Sequence, residues 1–137
     1  MKNRFKLYSI PMLVVINIVL LWGCKGTTDN NGMVLPEKNL SYSQHIRPIF
    51  MENCIEANCH NSKDLAGGLD LETAFPTFMS NSGQVVVPED PEHSLLFQLL
   101  INRVGEIPRM PLNRPPLPES YIRAIETWIA EGAKTTN

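Results

Sequence analysis

Apolar residues along this chain of 137 residues gather in a few separated stretches, and their spacing predicts mostly helix. The first stretch, from Leu7 to Trp22, follows Lys2, Arg4 and Lys6, and no acidic residue precedes Asp29. Basic start and apolar run together read as an export signal. Pro11 and Asn17 interrupt the run, so a membrane span, which needs about 20 clean apolar residues, is the weaker reading. The second stretch opens on Ser41-Tyr42-Ser43-Gln44, a capping-box pattern, and places Ile46, Ile49 and Phe50 on one side. Pro48 within it either kinks the helix or sits in the first turn of a second one, and both versions bring the chain to Cys54 at a helix end. A third helix is expected from Asp90 as N-cap, with Pro91 at its first position and Glu92 near the positive end of its dipole. Leu95, Leu96, Phe97, Leu99, Leu100 and Ile101 follow, dense enough for burial on most sides. The last helix runs from about Glu119 to Glu131, with Tyr121, Ile122, Ile125, Trp128 and Ile129 on one face and Gly132 as its stop. Between these lie a polar loop after His60, the Gly67-Gly68 pair, and a short apolar segment (Leu69, Leu71, Phe75) closed by Pro76. The expected class is therefore all-α, a small helical fold with long, proline-rich loops.

The leader ends in Leu21-Trp22-Gly23-Cys24, which resembles the lipobox of bacterial lipoproteins. Cleavage before Cys24 would leave that cysteine lipid-modified and anchor a soluble domain to a membrane face. By the same resemblance, Lys25 at the next position implies the outer membrane of the cell envelope. The competing reading is an uncleaved N-terminal anchor, and both place the domain outside the cytoplasm. The chain then divides into a lipoprotein signal peptide (1–23), a flexible tether rich in Gly, Thr, Asn and Asp (24–40), a folded domain (41–134) and a short tail (135–137). The leader carries three of the twelve basic residues and none of the fourteen acidic ones, so its removal lowers the formal charge from −2 to −5. Nucleic acid is thereby disfavoured as a partner. A domain of just under a hundred residues can build only a marginal core of its own, and a buried cofactor would fill it.

Chemistry concentrates in Cys54-Ile55-Glu56-Ala57-Asn58-Cys59-His60. Two thiols followed at once by an imidazole is the pattern of covalent haem attachment, in which each sulfur adds across a vinyl group and the histidine is held under the iron. The usual spacing has two residues between the cysteines; here there are four. Of the three cysteines, one is assigned to lipid and two to haem, which leaves none for a structural disulfide. Other chemistries fit less well. A zinc site on Cys54, Cys59 and His60 would need adjacent residues to meet on one tetrahedral ion, with no second cysteine pair to complete it. A thiol-disulfide oxidoreductase calls for two intervening residues in a βαβ setting. A small envelope lipoprotein with a structural Cys54–Cys59 disulfide, acting as a binding module, accounts for the thiols but gives His60 no role.

From about Ser41 to Ala133 the chain resembles the planctomycete-type small cytochrome c domains. The matching pieces are Ile46-Arg47-Pro48-Ile49-Phe50, Gly67-Gly68-Leu69, the run from Val87 to Ser94, Arg109-Met110-Pro111, and Trp128-Ile129-Ala130-Glu131-Gly132-Ala133. The resemblance implies a cytochrome c-like helical fold around one covalent haem c, electron transfer between redox partner proteins, and a methionine as second axial ligand. Among the methionines past the tether, Met51 lies three residues before Cys54 on the proximal approach, and Met79 sits among Ser, Asn and Gly. Met110 is fifty residues beyond His60 and flanked by Pro108 and Pro111, which stiffen the backbone presenting it. His60 and Met110 are thus the expected axial pair, with bis-histidine coordination through His45 or His93 as the lesser alternative. A thioether opposite histidine raises the potential relative to a second histidine. With both axial positions filled, no site for substrate remains, so a monohaem electron carrier rather than an enzyme is expected. Tyr121 and Trp128 read as core residues. Arg47, Arg109 and Arg114 could pair with haem propionates, although solvated surface arginine is the default.

Overall fold

The computed structural model describes residues 26–28 and 34–137. The expected signal peptide, the lipidated Cys24 and parts of the tether lie outside the described residues. Elements follow in the order β1 (Gly26–Thr28), β2 (Val34–Pro36), a π-helical turn (Tyr42–Ile46), α1 (Arg47–Asn53), a 3-10 turn (Ala66–Gly68), β3 (Met79–Ser80), β4 (Gly83–Gln84), α2 (Leu95–Ile101) and α3 (Glu119–Ala130). Among the described residues no helix is long and apolar enough to cross a membrane.

This is not the all-α architecture that the hydrophobic pattern predicts. Among the described residues, three short helices share the fold with two antiparallel two-stranded pairs and long irregular loops. Side chains that bond to nearby backbone are the physical reason, since they offer the main chain partners other than a helix. The stretch before α2 illustrates this. Asp90 Oδ1 accepts from the His93 N–H (3.2 Å) and the Pro91 carbonyl from the Ser94 N–H (3.0 Å), so residues 90–94 close a turn instead of opening a helix. The fully buried Ser94 hydroxyl donates to the Asp90 carbonyl (2.8 Å) and accepts from the Val87 N–H (2.8 Å), so it does not cap. Helix α2 therefore starts at Leu95, not beside Asp90, and has seven residues. Similarly, Ser80 and the tip at Asn81-Ser82 turn the chain into the β3–β4 hairpin: Ser80 Oγ donates to the Gly83 carbonyl (3.0 Å) and accepts from the Ser82 N–H (3.1 Å).

Elsewhere several local signals match the structure, although only the serine half of the capping box forms, the Ser41 N–H going to His45 Nδ1 (2.9 Å) and not to the Gln44 side chain. Ser41 Oγ accepts from the Gln44 N–H (3.2 Å), capping the π-helical turn, and α1 begins immediately afterwards with Pro48 in its first turn. Helix α3 ends at Ala130, and Gly132 follows at φ +99°, a backbone state that glycine adopts without penalty. In the stretch that composition reads as tether, β1 pairs with β2 in the register Gly26 to Pro36. Leu35 and Leu40 there are buried, and Glu131, just past the end of α3, accepts from the N–H groups of Asn39 (2.6 Å) and Leu40 (2.9 Å).

The first and last helical segments pack against each other, and an aromatic cluster fills the space between. Tyr42, Phe50, Phe78 and Trp128 all contact one another, with ring centroids 5.4–6.4 Å apart, and Ile46, Ile49, Ile125 and Ile129 complete the packing. The Tyr42 hydroxyl is buried there and has no hydrogen-bond partner among the described residues. Burial pushes its phenol up from 10.0 to about 12, Arg47 opposing and Asp70 adding to the rise. Because the folded chain holds this proton more tightly than the unfolded one, the phenol leaves stability unchanged with pH below 10 and lowers it as pH climbs through 12. Because an unpartnered buried hydroxyl costs about 1–3 kcal/mol, Tyr42→Phe is expected to be neutral or stabilising at pH 7. It should also flatten the loss of stability above pH 10, as read from urea midpoints along a pH series.

Candidate functional site

Helix α1 delivers Cys54 as its C-cap, with the Cys54 N–H bonded to the Phe50 carbonyl (2.9 Å) and the Asn53 side chain to the Ile49 carbonyl (2.8 Å). From there the backbone closes on itself. The Glu56 carbonyl accepts from the Cys59 N–H, and the Cys54 carbonyl from the His60 N–H, each at 2.9 Å. Asn58, at φ +64°, tolerates the left-handed turn better than most residues, and its N–H donates to Asp64 Oδ2 (2.7 Å). Asn61 Nδ2 reaches both the Glu56 carbonyl (2.9 Å) and the same Asp64 carboxylate (2.8 Å). These bonds, that from the Asn61 side chain foremost, hold the Asp64 carboxyl below the usual range.

His60 is oriented by the same loop. Its Nδ1 lies 2.9 Å from the Ala66 carbonyl, which can only accept, so Nδ1 carries the proton and Nε2 presents a lone pair. The Ala66 N–H in turn bonds to the Cys59 carbonyl (3.0 Å) and the Leu71 N–H to the His60 carbonyl (2.9 Å). The Asn81 N–H ties the β3–β4 hairpin to the Gly67 carbonyl (2.8 Å). Gly68, at φ +74°, packs so closely on Asn81 that a Cβ would collide with that side chain.

Cys54, Cys59, His60 and Met110 all line one open cleft of about 230 Å³. Leu95, Leu96, Leu99 and Leu100 of α2, with Leu69, Leu71 and Val85, make most of its wall apolar, and Phe50 joins it to the aromatic cluster. Met110 is partly buried, its N–H bonded to the Leu99 carbonyl (2.7 Å). Arg109 clamps this loop, with Nη1 donating to the Met110 carbonyl (3.1 Å) and Nη2 to the Arg114 carbonyl (2.7 Å).

The competing ligands lie elsewhere. Met79 is 50% exposed, and neither it nor Met51 lines the cleft. His45 Nδ1 accepts from the Ser41 N–H (2.9 Å), and His93 is paired on the surface with Asp90 (2.8 Å). Of the three arginines, Arg114 alone lines the cleft. Among the described residues no three His, Cys, Asp or Glu side chains are grouped to hold a metal ion directly. Cys54 and Cys59 are free thiols. The hydrophobic pattern assigns the α2 leucines to the core and misses them as cleft wall. The signal was their number, since Leu95, Leu96, Leu99 and Leu100 span more of the helix than one core face needs. Ser80 and Ser82, which also line the cleft, gave no signal.

An apolar slot with two thiols and an imidazole along its lining suits a flat apolar group fixed covalently through sulfur. Residues 54–111 match the family described as Planctomycete cytochrome C, the family that the motifs resemble. No curated protein matches the chain, and no solved structure does. The family implies covalently bound haem c and electron transfer rather than catalysis.

Burial pushes the Cys54 thiol up to about 12, the neighbouring Cys59 adding to the rise and Arg114 opposing it. The reactive form of a cysteine is the thiolate. In protein made without haem attachment, iodoacetamide at pH 8 is expected to modify Cys59 at least about tenfold faster than Cys54, by peptide mass mapping. Equal rates would show that the loop does not shelter Cys54.

Proposed function

We propose that this protein is a monohaem c-type cytochrome that carries single electrons between redox partner proteins in the cell envelope, anchored through lipid on Cys24. The observation that carries the reading is the convergence of Cys54, Cys59, His60 and Met110 on one leucine-lined cleft within the segment matched by the family. Cys54 and Cys59 would hold the porphyrin by thioether bonds, with His60 and Met110 as axial ligands. Haem c, when bound, supplies an iron that gains and loses one electron.

The chain's own residues prepare that role. The Ala66 carbonyl keeps the proton of His60 on Nδ1, which leaves Nε2 as a nitrogen donor and fixes the plane of the ring. The Met110 thioether is presented on a backbone held by Leu99 and clamped by Arg109. The leucines of α2 exclude water from the apolar faces of the cleft, which lowers the local dielectric and favours the less charged state of the site. Both axial positions would be taken by side chains, leaving none for a substrate. Donor and acceptor would meet an open cleft mouth through a small, short-lived interface. The basic leader, the Leu21-Trp22-Gly23-Cys24 junction and Lys25 favour a lipoprotein of the outer membrane.

Haem staining of a denaturing gel tests attachment. The protein matured in a host with cytochrome assembly machinery should stain, and Cys59→Ser should lose the stain or most of it; a colourless wild-type chain at the unmodified mass ends the proposal. Met110→Ala should keep the haem but alter the visible spectrum and lower the potential. An unaltered spectrum would remove Met110 from the iron. Cys24→Ala should release the protein from the membrane fraction, and its retention there would favour an uncleaved anchor.

A further inference from the structure

We infer that the long spacer between the two cysteines serves as a second support for the methionine loop, with Glu56 and Arg114 as positioning residues for Met110. The inference rests on the haem reading above and concerns the feature that reading leaves without a purpose, the four residues between Cys54 and Cys59 where two would suffice.

The extra length makes room for a complete turn inside the spacer, from the Glu56 carbonyl to the Cys59 N–H (2.9 Å). Asn61 Nδ2 bonds to the same carbonyl (2.9 Å), so the Glu56 backbone is held from two sides. Its carboxylate meets Arg114 across the loops, Oε1 to Nη2 at 2.9 Å. Arg114 lines the cleft, and its carbonyl accepts from Arg109, which also holds the Met110 carbonyl (3.1 Å). Spacer, Glu56, Arg114, Arg109 and Met110 thus form one connected chain of contacts. The Leu99 carbonyl fixes the loop to α2 at Met110 itself (2.7 Å), and the ion pair fixes its far end to the attachment turn.

Both partners of the pair are about half exposed, at 45% for Arg114 and 55% for Glu56, so the pair adds little to global stability. Its effect falls on how often the loop opens. Hydrogen exchange at the Met110 amide, which is bonded to Leu99, reports that opening directly and in the intact mature chain. Glu56→Gln and Arg114→Gln should each speed this exchange about two- to fivefold, and the double variant should be no faster than either alone. The exchanged pair, Glu56→Arg with Arg114→Glu, should recover most of the protection. Salt on the order of 1 M should speed exchange in the wild type and leave the double variant unchanged. In haem-loaded protein, imidazole should displace Met110 faster by a similar factor in the single variants. Unchanged amide exchange, or effects that simply multiply in the double variant, would overturn the tie. Faster exchange with unchanged imidazole binding would overturn the positioning role while leaving the haem reading intact, whereas a colourless wild-type protein would overturn both.

Discussion

The closed loop from Cys54 to Leu71 is the constraint on which the rest of the site depends. Three backbone bonds, His60 to Cys54, Ala66 to Cys59 and Leu71 to His60, fold this stretch so that both thiols and the imidazole line the same cleft. The bond from His60 Nδ1 to Ala66 then settles which nitrogen faces away from the loop. None of these bonds belongs to a helix or a sheet. The loop is stable because polar side chains, chiefly Asn61 and Asp64, occupy main-chain groups that a helix would otherwise satisfy.

That arrangement limits how the rest of a small domain can pack. The filled part of the core lies between the first helical segment and α3, where Tyr42, Phe50, Phe78 and Trp128 interlock. The leucines of α2 partly face an open cleft. Phe50 belongs to both regions, so packing around Trp128 and the position of α1, with Cys54 at its end, are mechanically linked. A cofactor seated on the leucine wall would complete the apolar burial that so few residues cannot provide alone.

Much of the candidate site is legible in the order of residues alone, because its signals are local and chemical. Thiol, thiol and imidazole in one heptapeptide need no tertiary information to be recognised, and the capping serine at Ser41, Pro48 in the first turn of α1 and Gly132 after α3 act over three or four residues. The helical class is over-read for a related reason. Asp90-Pro91-Glu92 carries every mark of a helix start, yet Ser94 turns its hydroxyl back to Val87 and Asp90, and the Leu96 N–H goes to the Val85 carbonyl (2.9 Å). Those partners lie four to eleven residues away, beyond the range of a capping rule. The β3–β4 hairpin gives no sequence signal because each strand is two residues long, too short for an alternating pattern.

What the sequence by itself determined is chemical identity: a leader pattern, a paired-thiol and histidine motif, and Met110 as the methionine between stiffening prolines. Tertiary structure alone decided proximity. That Met110 shares a cleft with His60 while Met51, Met79, His45 and His93 do not, that α2 presents leucines to that cleft, and that Arg114 rather than Arg47 or Arg109 lines it all follow from how distant segments pack. A side chain's chemistry is carried in its own atoms, but its neighbours are set by main-chain bonds and core packing that join residues tens of positions apart.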